Sequence, residues 1–213
     1  MTYSVREMYY TLQGEGAQTG RPAVFLRFAG CNLWSGREKD RARAICNFCD
    51  TEFVGTNGPG GGMFANAAEL AVAVLAKWPP AVPATPYVVC TGGEPLLQLD
   101  AAAIEALHDA GCSIAVETNG TLAAPAGLDW ICVSPKAGAT VVQTVGDELK
   151  LVYPQAEPEA QPERFAEMGF THFFLQPMDS ADMRENTQAA IRYCLDNPHW
   201  KLSLQTHKII GIP

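Results

Sequence analysis

The sequence predicts an α/β protein organised on a parallel sheet covered by helices, and three observations carry that prediction. Strand-like apolar runs alternate with helix-like segments along the chain. The runs are continuously apolar, as strands buried on both faces are. Polar motifs follow several of them directly, and in parallel α/β architectures chemistry gathers at the C-terminal ends of strands.

Residues 23–28 (AVFLRF) read as the first strand and lead into Cys31. A glycine-rich link (55–62) follows the cysteine segment, and Asn66 with Glu69 gives a capping-box start to a helix that must stop before Pro79 and Pro80. Next come a strand at 86–91, a helix from Asp100 to about Ala110, and strands at 112–117, 129–133, 148–153, 171–176 and 201–206. Helices around 161–168 and 181–196 separate the last three strands. A chain of 213 residues fits one domain with a small insertion, at about 32–45. No apolar run approaches the roughly 18 residues of a membrane span, and MTYSVREMYY lacks the pattern of a secretory signal. Seven cysteines, an odd number, suit reduced thiols in the cytoplasm. A net charge of −8 argues against a nucleic-acid surface and for a small-molecule substrate.

Cys31, Cys46 and Cys49 concentrate in one short segment, with fourteen residues between the first two and two between the last pair. Three thiolates can hold three irons of a [4Fe–4S] cluster and leave the fourth open to a small molecule. A structural zinc site is the alternative, but it ordinarily needs four ligands at close spacing. The strand ends supply Arg27-Phe28, Thr91-Gly92-Gly93-Glu94-Pro95, Glu117-Thr118-Asn119-Gly120, Ser134-Pro135-Lys136 and Gln176-Pro177, then Gln205 and His207. Each has a plainer reading: Arg27 paired with a structural acid, Glu117 and Asn119 capping a loop, Cys90 a core residue.

The three-cysteine segment after strand one and Gly-Gly-Glu-Pro after strand two resemble the radical S-adenosylmethionine (SAM) superfamily. With Leu12-Gln13-Gly14-Glu15-Gly16, Cys49-Asp50-Thr51, Glu117-Thr118-Asn119-Gly120 and Ser134-Pro135-Lys136, the chain resembles the 7-carboxy-7-deazaguanine synthase family over nearly its whole length. Its fourteen-residue first spacing is longer than most of the superfamily uses, although lengthening a loop costs free energy only logarithmically.

The resemblance implies an incomplete parallel (β/α) barrel, modified and open. It implies a lyase-type synthase that contracts 6-carboxy-5,6,7,8-tetrahydropterin to 7-carboxy-7-deazaguanine and releases ammonia, through a deoxyadenosyl radical from reductive SAM cleavage. Cys31, Cys46 and Cys49 would bind the cluster. Gly92, Gly93 and Glu94 would line the SAM methionine end, and Phe48 and the segment Phe173, Phe174, Leu175 and Gln176 the adenine. Glu117 and Asn119 would meet the ribose, and Ser134 and Lys136, with Pro135 between them, the ribose or carboxylate. Leu12, Gln13, Gly14 and Glu15 would form the pterin loop, with Arg27 on the substrate carboxylate and Cys90 and His207 as further contacts. Thr51 would give a hydroxyl oxygen to Mg²⁺. A C-terminal carboxylate at Pro213 would accept from the amino-pyrimidine edge. A one-electron donor such as a flavodoxin, a homodimer and a cytoplasmic setting complete the expectation, with no nucleic-acid or membrane partner. A radical SAM activase acting on a partner protein is the alternative within the superfamily; Gln13-Gly14-Glu15-Gly16 and Arg27 favour the synthase.

Overall fold

The computed structural model describes residues 1–213. Nine strands form one sheet: β1 (Tyr3–Leu12), β2 (Pro22–Phe28), β3 (Gly62–Phe64), β4 (Tyr87–Gly92), β5 (Ser113–Thr118), β6 (Trp130–Val133), β7 (Val145–Tyr153), β8 (Gly169–Pro177) and β9 (Trp200–Leu202). Their order is β3-β1-β2-β4-β5-β6-β7-β8-β9. The pairs β1–β2 and β1–β3 are antiparallel, and every pair from β2–β4 onward is parallel. The sheet does not close, because β3 and β9 end it as separate edges.

Helices cover one face incompletely. The first, α1 (Ala67–Leu75), starts where Asn66 accepts from the Glu69 N–H at 2.9 Å and Glu69 bonds back to the Ala65 N–H at 3.0 Å. Such a capping box contributes about 1 kcal/mol. Together with α2 (Ala101–Asp109), it packs on Val24, Leu26, Phe28, Val88, Cys90, Ile114 and Val116, the larger core. A smaller core joins α3 (Met183–Asp196) to Leu149, Leu151, Phe173 and Leu175. No helix links β5 to β6 or β6 to β7. No helix is long and apolar enough to cross a membrane.

The opposite face is concave and layered. Near the strand N-termini Ala23, Tyr87, Val89 and Ala115 make a small apolar layer. Toward the C-termini, the same alternation presents Arg27, Thr91, Glu117, Lys150 and Gln176. The sheet therefore has an apolar floor and a polar mouth.

Four expectations need correction. β1 is a strand that the sequence does not announce: a bulge between Val5 and Glu7 shifts its phase, so that Val5 and Met8 both face the core. β3 is three residues in a glycine-rich link. The segment 161–168 contains a single 3-10 turn at 162–164, after another at 158–160. Gln161 precedes Pro162 and is held extended at ψ 142°, and six residues between Pro162 and β8 are too few for a helix of several turns. The last strand stops at Leu202, and Thr206–Ile210 turns into a short helix, α4, because Thr206 N–H and hydroxyl both bond the Gly14 carbonyl, at 2.9 and 2.8 Å.

Candidate active site

One cavity of about 340 Å³ opens at the polar mouth. On one side stand Cys46, Phe48, Cys49 and Thr51, with Gly92 and Gly93 beside them. Leu12, Gln13, Gly14, Glu15 and His207 form the other side, with Arg27 and Pro213. Glu117, Asn119, Ser134, Lys136 and Gln176 complete the wall between.

The thiol side is built by close backbone approach. Gly92 has φ +145°, a region that L side chains rarely adopt, and a Cβ there would collide with the Phe28 carbonyl. At Gly93 a Cβ would come 2.7 Å from the Cys31 Cβ. The two glycines let β4 press against the start of the cysteine segment, so Cys31 lies against Gly93 at the cavity's edge. The neighbouring Cys46 and Cys49 thiols act on each other, which raises the Cys46 pKa well above the thiol range and lowers Cys49 to about 6. Burial pushes Cys31 up. Nowhere do three His, Cys, Asp or Glu side chains converge closely enough to chelate a single metal ion. Cys46 and Cys49 line the cavity, while Cys31 packs against Gly93 beside it. A donor set that is all sulfur has the chemistry of an iron–sulfur ligand set.

The opposite side rests on a buried ionic network. Lys150, 4 % exposed, donates to Glu15 Oε2 at 2.7 Å and Glu117 Oε2 at 2.9 Å. Gln13 donates to Glu117 Oε1 at 3.1 Å and accepts from the Glu15 N–H. Glu148 accepts from the Ala17 N–H at 2.9 Å, and Ser203 from the Gly16 N–H at 2.9 Å. Burial alone would lower the Lys150 pKa, but Cys132, Glu117, Glu15 and Glu148 hold it well above the lysine range. Against burial, Lys150 keeps Glu15 below the usual carboxylate range. Burial pushes Glu148 up, with Glu117 adding to the effect and Lys150 opposing it.

Arg27 donates Nε to Glu7 at 2.8 Å and Nη2 to Tyr9 at 3.2 Å, which aims the guanidinium along the cavity wall. Lys136 Nζ bonds the Ser134 carbonyl and hydroxyl at 2.7 and 2.6 Å. Asn119 bonds Asn32 and accepts from Thr121, so its side chain ties the β5 loop to the cysteine segment. The Thr51 hydroxyl faces Asp50 Oδ1 at 3.4 Å.

Several expected contacts are not reached by the side chains concerned. Glu94 is fully buried behind the wall, where its carboxylate accepts from Thr118 Oγ1, Asn119 N–H and Leu96 N–H at 2.7, 2.8 and 3.0 Å; burial raises its pKa despite those bonds. Cys90 points into the helix-side core, and burial pushes its thiol up. Phe173 and Leu175 face α3, while Phe174 and Pro135 are buried away from the cavity. Alternation puts Cys90, Phe173 and Leu175 on the helix side, whereas Phe174 shares the face of Gln176 but lies two residues further from the mouth; Gln176 is the one residue of its segment that lines the cavity.

Glu7, Tyr9, Phe25, Asp50, Lys150 and Lys208 line the cavity without having been anticipated as site residues. For Lys150 a signal existed, since a lysine inside the apolar run ELKLVY requires a buried partner. Glu7 and Tyr9 were hidden by the bulge in β1.

No protein-family model matches the chain. Among curated proteins it is 65 % identical, over the full length of both chains, to the 7-carboxy-7-deazaguanine synthase of Caulobacter vibrioides. It is 64 % identical to that of Bordetella pertussis and 56 % to that of Burkholderia multivorans, again over the full length of both chains. Among solved structures, the crystal structure of QueE from Escherichia coli superposes with a TM-score of 0.73 at 28 % identity, covering 97 % of this chain and 95 % of that one. Full-length identity at this level, on a shared open α/β sheet, shows that the chain belongs to the 7-carboxy-7-deazaguanine synthase family.

Proposed function

We propose that the cavity carries out the ring contraction of 6-carboxy-5,6,7,8-tetrahydropterin to 7-carboxy-7-deazaguanine with release of ammonia. The observation that carries this reading is the shared cavity: Cys46 and Cys49 of the cysteine segment and the Gln13–Glu15 loop line one space, so a cofactor held by the segment can meet a substrate held by the loop. Cys31, Cys46 and Cys49 would hold a [4Fe–4S] cluster, which with bound SAM supplies the radical chemistry.

The chain's own residues bind and orient. The backbones of Gly92 and Gly93 allow a small ligand close approach beside the thiols, and Lys136 brings a positive charge suited to a carboxylate. Phe48, between two of the cysteines, lines the same end. Arg27 engages Nε and Nη2 and leaves its Nη1 donors for a substrate carboxylate. Gln13 and Glu15 are braced from behind by Glu117 and Lys150, so the substrate loop is ordered before anything binds. Thr51 and the neighbouring Asp50 offer hard oxygen ligands suited to Mg²⁺ with a substrate carboxylate. A one-electron donor is required, and the small-molecule substrate suits the cytoplasm.

The test is anaerobic reconstitution followed by iron analysis and a turnover assay with SAM, a reductant and the carboxypterin. The wild type should carry about four irons per chain and yield deazaguanine and ammonia. Replacing Cys31, Cys46 or Cys49 by Ala should remove most of the iron and SAM cleavage while leaving the far-ultraviolet spectrum intact. A variant lacking all three thiols that still cleaves SAM would overturn the assignment.

A further inference from the structure

The long segment between Cys31 and Cys46 folds back on the cysteine turn through one side chain. Leu33 and Trp34 are buried, and Trp34 packs edge-on against Phe53 with ring centroids 5.6 Å apart. The Leu33 carbonyl accepts from the Ile45 and Cys46 N–H groups at 3.1 and 3.4 Å, which pins both ends of the excursion together. Between them a 3-10 turn, Glu38–Arg43, carries Arg41. The Arg41 guanidinium lies 4.1 Å from the Trp34 ring centroid, and its Nε bonds both Glu38 oxygens at 2.8 and 2.9 Å. Its Nη1 donates to the Asn47 and Cys49 carbonyls, each at 3.0 Å. A cation thus clamps two carbonyls of the Cys46–Cys49 turn and sits on the backbone of an expected cluster ligand.

We propose that Arg41 is a positioning residue for the iron–sulfur cluster: it fixes the Cys46–Cys49 turn through two carbonyls and places a positive charge beside the cluster that eases its reduction. This rests on the cluster reading above. Held by Trp34 on one face and Glu38 at one edge, the guanidinium has a fixed orientation that a solvated side chain lacks. Cluster potentials respond to nearby charge and hydrogen bonding, so losing one adjacent cation makes electron entry harder. Charge-assisted hydrogen bonds are each worth about a tenfold factor or more, so the turn also holds its ligands more firmly with Arg41 than without it.

The experiment uses the reconstituted full chain and measures the cluster midpoint potential by spectroscopic titration and the rate of iron loss to a chelator. Arg41→Ala should lower the potential and speed iron loss about tenfold, whereas Arg41→Lys should restore most of the potential because the charge remains. Arg43→Ala, which removes an exposed cation of the same turn with no bonded partner, should move neither. A potential unchanged in Arg41→Ala overturns the proposal, since a purely structural arginine would alter melting alone. An equal shift in Arg43→Ala overturns it too, as it would mark a general effect of surface charge. Failure of the wild type to take up a cluster would instead overturn the functional reading itself, so the two failures are distinguishable.

Discussion

His207 is faced by Glu15 and Asp50, which favour its cation, and by Lys208 and Lys150, which oppose it. Burial is the larger influence, and it lowers the imidazole pKa below 6.5. The sign of the stability effect follows. As pH falls from neutrality the unfolded chain takes up this proton first, so the unfolded state binds more protons and stability falls. The His207 contribution is thus complete above 6.5 and is lost as pH falls through the window beneath it. His207→Gln should flatten the slope of urea midpoints as pH falls below 6.5; a variant with the wild-type slope would show that another group sets it. At this scale the sequence was readable in residue type and less so in direction. Cys90, Phe173 and Leu175 sit in the right strands and on the wrong face, because a continuous apolar run gives no sign of which face is the mouth. Glu94 was named from its motif, yet its carboxylate serves the backbone of the next strand's end.

Among the elements, β7 braces the loop at residues 13–17 through Lys150 and Glu148. Removing one partner of a buried ion pair leaves the other charge uncompensated, at about 3–5 kcal/mol. Lys150→Met should therefore destabilise the chain by roughly that amount in urea unfolding, and adding Glu15→Gln should recover part of the loss. A Lys150→Met protein as stable as the wild type would show that residues 13–18 are held by backbone bonds alone. Elements were legible where periodicity and punctuation agreed. The helix after Asn66 and the parallel strands at 86–91, 112–117 and 171–176 lie within two or three residues of their expected bounds. The failures have separate causes. A bulge broke the alternation of β1, proline removed the helix at 161–168, and long-range bonds to Gly14 drew 203–206 away from β9.

At the scale of the whole molecule, the sheet is open but its mouth is bridged. Strands β3 and β9 never pair. Bonds of loops and side chains span the gap: Thr206 to Gly14, Gln205 to Glu15 and Asp50, and Thr11 to the Pro213 carbonyl at 3.0 Å. Lys208 is the widest tie, joining Asp50 of the cysteine segment at 2.6 Å to Asp179 after β8 at 2.5 Å. Against burial, these two acids hold the Lys208 pKa above the ordinary range. Its side chain is 37 % exposed, so solvent screens the pairs and their stability value is small, about 1 kcal/mol at most. Such a tie governs local opening far more than global unfolding. Lys208→Met should leave the melting temperature nearly unchanged while amide exchange in α4 and at 49–52 quickens several-fold, with β4 and β5 unaffected. If exchange there stayed at the wild-type rate, the mouth would be held by Thr206 and Gln205, and an open sheet would need only backbone and amide contacts to keep its cavity shaped.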